Sequence, residues 1–140
     1  MKTPPAIRRF IEEFLKIDEE AVGKGSVNRA LQEAMREEGV SDPGVFEKRF
    51  VSSQEVRQRF INAVVIGETW FFRDRGPFTS LARHARELQH DLAVDVLKIL
   101  SVPCASGEEP YSIVMTLLNA GLAPSSFSID GVDINTRALE

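Results

Sequence analysis

The chain has 140 residues, 43% hydrophobic and 27% charged, with 17 Lys and Arg against 21 Asp and Glu for a net charge of −4. That is ordinary globular composition, with room for one good core, or for one small domain and part of another. The first 60 residues are charge-balanced and the acidic surplus falls in the rest, so neither half offers the clustered basic face of a nucleic-acid binder.

The single cysteine, Cys104, excludes an internal disulfide and fits a reducing compartment. With His84 and His90 it falls short of a metal-ligand set, so no metal is expected. No apolar run approaches the ~20 residues of a membrane span, and the N-terminal residues lead into an amphipathic pattern rather than a signal-peptide core. These features predict a cytoplasmic protein without membrane insertion.

Apolar residues at Ile7, Phe10, Ile11, Phe14 and Leu15 make a helical stripe beginning after Pro4-Pro5. Gly23-Lys24-Gly25 breaks it. Ser26 then reads as the N-cap of a second helix with Val27, Ala30, Leu31, Ala34 and Met35 inward, ending at Gly39. After a turn at Ser41-Asp42-Pro43-Gly44, a third helix holds Val45, Phe46 and Phe50. A fourth, capped by Ser52 or Ser53, holds Val56, Phe60, Ile61, Val64 and Val65. With no strand pattern in it, 1–65 reads as a small all-α domain.

From 66 to 140 the texture changes. Gly67 to Pro77 sets Trp70, Phe71 and Phe72 among charges and closes in a turn; such aromatics are expected mostly in a core between domains. A helix from Phe78 to about His90 follows, with Phe78, Leu81, Ala82, Ala85 and Leu88 on one face and both histidines toward solvent. Then come a strand over 97–102, the loop Cys104 to Glu109, a helix from Pro110 to Ala120, and a strand over 127–132 closing on Asp133. Strand–loop–helix–strand is the βαβ unit, whose ligands gather at the strands' carboxyl ends. One such unit does not make a stable sheet. The sequence stops where the connection to a third strand would begin, which predicts a fragment, or missing strands supplied from elsewhere.

The loop has the position of a dinucleotide fingerprint but different chemistry. It offers one glycine, Gly107, and two carboxylates, Glu108 and Glu109. Like charges cost ~4 kcal/mol at about 4 Å in a partly dry site, so a phosphate is disfavoured there. A ligand with a sulfonium, an ammonium and ribose hydroxyls suits it, and Asp133 stands where an acid accepts ribose hydroxyls. Taken alone, Glu-Glu-Pro is also a common helix start; the flanking strands favour the ligand reading.

Three stretches carry a family resemblance: Thr69-x-Phe71-Phe72-Arg73-Asp74, Cys104-Ala105-Ser106-Gly107-Glu108-Glu109-Pro110-Tyr111-Ser112, and Val132-Asp133-Ile134-Asn135. In order and spacing the chain resembles the CheR-type chemotaxis receptor methyltransferases, which methylate receptor glutamates with S-adenosylmethionine. The resemblance implies an all-α N-terminal domain followed by the first part of a Rossmann-like S-adenosylmethionine-dependent α/β domain. It implies cofactor contacts from Thr69, Arg73, Glu109 and Asp133, with Arg73 also near the methyl acceptor. Gly67 stands where the family has Asn, so that contact is lost or replaced.

The implied activity is protein-glutamate O-methylation, with receptor methylation helices as partners and this chain incomplete for catalysis on its own. Arg29 and Arg36 can share a helix face toward such acidic helices, although Glu33, Glu37 and Glu38 dilute it. The alternative is a non-catalytic relative that docks on receptors; a dinucleotide oxidoreductase fragment is a weaker third. Cys104 invites a nucleophile reading with His84 as base, but a small buried packing residue is the better one. An Arg73–Asp74 surface ion pair competes with the functional reading of Arg73.

Overall fold

In a computed structural model, residues 2–16, 24–65, 67–91 and 94–140 are described. The chain divides into two compact units, Met1–Ile66 and Gly67–Glu140.

The first unit is helical. Helix α1 spans Pro5–Phe10 and runs on as a π-helical turn over Ile11–Leu15, closed by Lys16 in the left-handed region. Helix α2 spans Lys24–Glu37, α3 Pro43–Ser52 and α4 Gln54–Val64. The π turn explains why the first stripe is only partly buried. Bonding i to i+5 adds about one residue to the turn, so Phe14 slips off the face that carries Ile7 and Ile11. Both isoleucines are buried, whereas Phe14 is 64% exposed and stacks on Phe10 at 4.8 Å.

Two caps hold α3 and α4. The Asp42 carboxylate accepts from the Val45 N–H at 2.8 Å with Pro43 in the first turn, and the Ser53 hydroxyl accepts from the Val56 N–H at 3.3 Å. Ser52 instead ends α3. Ser26 is not a cap: α2 already includes Lys24 and Gly25, and the Ser26 hydroxyl accepts from Arg29 at 3.2 Å. Gly23 of the expected break lies outside the described residues.

The core gathers the inward faces of these helices around Leu31, Phe46, Phe50 and Phe60. Phe50 meets Phe60 edge-on at 5.6 Å, an arrangement favoured by the ring quadrupoles.

The second unit contains α5 (Arg75–Asp91), β1 (Leu97–Ser101), α6 (Glu108–Asn119) and β2 (Phe127–Gly131). The two strands pair in parallel, with Leu97 opposite Phe127 and Ser101 opposite Gly131. A parallel pair joined through a helix is the expected strand–helix–strand unit. Leu97, Ala85, Ile113, Leu117 and Leu122 form its buried centre, while Leu100 on the other sheet face is 64% exposed.

Both helices begin earlier than the sequence suggests, α5 at Arg75 instead of Phe78 and α6 at Glu108 instead of Pro110. The reason is the same in each. Proline was read as a boundary, but Pro77 and Pro110 occupy the third helical position, where the missing N–H has no intrahelical partner to lose. Each strand ends one residue earlier than expected. No helix among the described residues is long and apolar enough to cross a membrane.

Phe60 is fully buried and Val51 is 59% exposed. Phe60→Ala is expected to cost about 3–5 kcal/mol, and Val51→Ala less than about 0.5 kcal/mol, measured as shifts in the urea midpoint of the helical unit.

Candidate functional site

The pairing of β1 and β2 continues past both strands and fixes the loop between β1 and α6. The Val132 N–H donates to the Ser101 carbonyl and the Cys104 N–H to the Val132 carbonyl, each at 3.0 Å. Asp133 then closes the arrangement. Its Oδ2 accepts from the Ala105 N–H at 2.8 Å and its Oδ1 from the Asn135 N–H at 2.7 Å. The carboxylate just past the end of β2 therefore holds the loop at Ala105, while each oxygen keeps a lone pair for another donor.

The loop approaches β2 closely. A Cβ on Gly131 would come within 3.1 Å of the Cys104 sulfur and 3.2 Å of its Cβ, so a larger residue there requires the Cys104 side chain to give way. Gly107, at φ +104°, caps α6, and a side chain there would also meet the Tyr111 ring at 3.4 Å. Ala105 holds φ +45° without a glycine's freedom. The two bonds at Asp133 are what over-determine that conformation.

The loop's carboxylates have separate partners. Ser101 Oγ donates to Glu109 Oε1 at 2.6 Å. The Ser106 hydroxyl lies 2.9 and 3.0 Å from the two Glu108 oxygens, and both acids fall in the first turn of α6, where the helix dipole favours them. A cleft of about 400 Å³ lies against the same loop, between Tyr111, Ile129 and Leu139, but neither Glu109 nor Asp133 lines it. The cleft and the two carboxylates are therefore separate features of this loop.

The segment from Thr69 to Asp74 reaches this region through Ser112. The fully buried Ser112 hydroxyl donates to the Glu108 carbonyl at 2.6 Å and accepts from the Phe72 N–H at 2.9 Å. Phe72 and Asp74, on either side of Arg73, both hold positive φ, +56° and +55°. Non-glycine residues persist there only when their surroundings hold them.

Arg73 donates to the Glu68 carbonyl at 2.9 Å and lies over the Trp70 ring, 4.6 Å from its centroid, rather than pairing with Asp74. Thr69 is half-buried. Trp70 and Phe71, expected mostly in a core, are 56% and 54% exposed. Among the described residues, none of Thr69, Arg73, Glu109 and Asp133 bonds directly to another. Ser112, Ser101 and the Ala105 amide are the intermediaries.

Sequence reasoning missed those intermediaries. Ser101 had a signal: it shares the buried face of β1 with Leu97 and is 1% exposed, and a polar residue on a buried strand face needs a partner. Ser112 stood inside the quoted motif without a role. His84 and His90 are exposed as expected. Cys104 is buried and its thiol pKa is raised, first by burial, then by the negative charges of Asp133 and Glu109. It is a packing residue held protonated.

A family model described as CheR methyltransferase, SAM binding domain, matches residues 67–140. The chain belongs to the CheR methyltransferase family. It is 42% identical over 132 residues to the probable biofilm formation methyltransferase WspC of Pseudomonas putida, covering 94% of this chain and 31% of the relative. Against WspC of Pseudomonas aeruginosa the identity is 41% over 133 residues, 94% of this chain and 32% of the relative. Against the chemotaxis protein methyltransferase of Salmonella typhimurium it is 35% over 117 residues, 81% and 39%. The chain thus spans about a third of the length of these curated relatives.

The matched CheR domain indicates S-adenosylmethionine as cofactor, and the donor set fits it. Asp133 stands just past the end of β2, Glu109 in the first turn of α6 is held by Ser101 at the end of β1, and the loop residues Cys104 to Glu109 include no cation that a phosphate would call for.

Two measurements check this geometry. Ser112→Ala should speed hydrogen exchange of the Phe72 amide by roughly tenfold or more, since a lost bond of about 1–1.5 kcal/mol sets that scale, with little change at Ala105. Cys104 should alkylate slowly with iodoacetamide at pH 8 until the chain is denatured. Because its folded pKa is raised, its contribution to stability is full below the ordinary thiol value and is lost as pH rises through the folded one. Melts of wild type and Cys104→Ala from pH 7 to 10.5 should therefore show the wild type losing relative stability only in the alkaline range.

Proposed function

We propose that residues 66–140 form the start of a Rossmann-like S-adenosylmethionine-binding domain, preceded by a helical domain over 1–65. The protein that contains them would O-methylate glutamate side chains of chemoreceptor-like signalling proteins. The observation that carries this reading is the pair of fixed carboxylates, Glu109 held by Ser101 and Asp133 held by Ala105 and Asn135, within the matched CheR domain.

In this reading Glu109 and Asp133 bind the cofactor, Asp133 through ribose hydroxyls, with Thr69 and Arg73 contributing from the preceding segment. S-adenosylmethionine, when bound, supplies an electrophilic methyl group on a sulfonium. The acceptor glutamate has an ordinary pKa of about 4.3 and is ionised at neutral pH, so the protein supplies no general base. Its task is alignment and partial desolvation of oppositely charged reactants.

Arg73 suits the acceptor end of the site. Its guanidinium can hold a carboxylate by two parallel N–H donors, and its backbone is set by the strained pair on either side and by Ser112. On α2, Arg29 and Arg36 are exposed, while Glu38 is engaged by Arg49 and Arg59. That leaves a face of the helical unit for the acidic methylation helices of a receptor.

Calorimetric titration with S-adenosylhomocysteine, on this chain and on a longer one with the remaining family segment, tests the binding half. Glu109→Ala and Asp133→Ala are each expected to weaken binding about tenfold or more, the loss of a charge-assisted bond. No binding by either chain would sink the reading. In the longer chain Arg73→Ala should lower methyl transfer to receptor fragments about 100-fold while cofactor affinity changes by less than about threefold. Equal losses would make Arg73 a cofactor contact only.

A further inference from the structure

A second feature of the Gly67–Glu140 unit lies away from the carboxylates. Between α5 and α6 runs an open groove of about 550 Å³. Phe72, Phe78 and Ala82 supply apolar surface, Thr116 and Asn119 supply polar groups, and Arg75 and Arg86 supply charge. No carboxylate lines it, although residues 61–140 hold ten acids and only six Lys and Arg. Among the described residues, neither guanidinium has a hydrogen-bond or ion-pair partner. Arg75 and Arg86 are eleven residues apart, about three helical turns and roughly 16 Å along one face of α5.

We propose that this groove docks an acidic, amphipathic segment of the protein substrate. A groove with an apolar floor and two unpaired arginines complements a helix or strand that presents carboxylates beside apolar side chains. Charge complementarity of this kind governs encounter and register. A nucleic acid fits less well, since residues 61–140 carry an acidic surplus and the floor offers apolar side chains rather than a track of cations. The groove also has a link to the chemistry: Phe72 lines it and immediately precedes Arg73. A segment lying along α5 would bring a neighbouring glutamate toward Arg73. The inference rests on the reading of Arg73 as the acceptor-side residue and adds to it a substrate track outside the helical unit.

The test is binding of a fluorescein-labelled amphipathic peptide of about twenty Glu, Ala and Leu residues, followed by anisotropy on this chain at low and moderate salt. The variant is Arg75→Glu with Arg86→Glu. Both sites are exposed, and an acid at Arg75, the first helical position, suits the dipole, so the fold persists. The control is Arg83→Glu, an exposed arginine of α5 that does not line the groove.

Affinity should fall roughly tenfold or more in the double variant, the scale of one or two charge contacts, change less than about twofold in the control, and weaken with salt. A peptide with Lys for Glu should not bind. Absence of wild-type binding, an unchanged double variant, an equal loss in Arg83→Glu, or stronger competition by duplex DNA than by unlabelled peptide would each overturn the proposal. In the longer chain the same double variant should raise KM for acidic receptor fragments with kcat and S-adenosylhomocysteine affinity intact. An unchanged KM overturns the groove alone, whereas no transfer by wild type to any carboxylate peptide overturns the methyltransferase reading, which the anisotropy result does not touch.

Discussion

The arrangement depends on one carboxylate accepting two backbone amides. Asp133 takes the Ala105 N–H on one oxygen and the Asn135 N–H on the other. By doing so it fixes the end of β2 to the start of the loop after β1. The loop's tight path follows from that tether: Ala105 in the left-handed region, Gly107 as cap, and Gly131 bare beneath the Cys104 sulfur. Charge-assisted bonds to backbone amides are about twice as strong as neutral ones, which suits a clamp that must hold non-glycine backbone in a sparsely populated region.

Serines transmit this order outward. Ser101 turns the buried face of β1 into a support for Glu109, and Ser112 joins α6 to the segment that carries Arg73. Arg73, Glu109 and Asp133 are thus each positioned by a neighbour rather than by one another. That separation leaves Glu109 and Asp133 with unused lone pairs directed by structure already in place, the preorganisation that a binding site for a cationic ligand needs.

Much of this was legible in the sequence because it depended on period and punctuation. The inward residues of α2 and α4, a cap at Ser52 or Ser53, the order of β1, α6 and β2, and the acidic loop all follow from spacing. What was not legible came from contacts between residues distant in sequence, or from exceptions to local rules. The π turn that swings Phe14 out of the core leaves no mark in a 3.6-residue stripe. Pro77 and Pro110 look like helix boundaries in sequence, but a proline within the first turn forfeits no intrahelical hydrogen bond. Phe72 and Ser112 are 40 residues apart, and no one-dimensional pattern joins a backbone amide to a hydroxyl at that range.

Cys104 shows what such an environment does to a reactive residue. Peroxides and disulfides react with thiolate, and low pKa with exposure is what makes a cysteine a redox sensor. Here the sulfur is enclosed by Gly131 and overlooked by two carboxylates, which disfavour ionisation. Burial first, and then the same negative charge that would suit a sulfonium ligand, therefore disfavour the thiolate of the adjacent cysteine. The loop thus begins with a thiol whose own surroundings hold it in the less reactive protonated form.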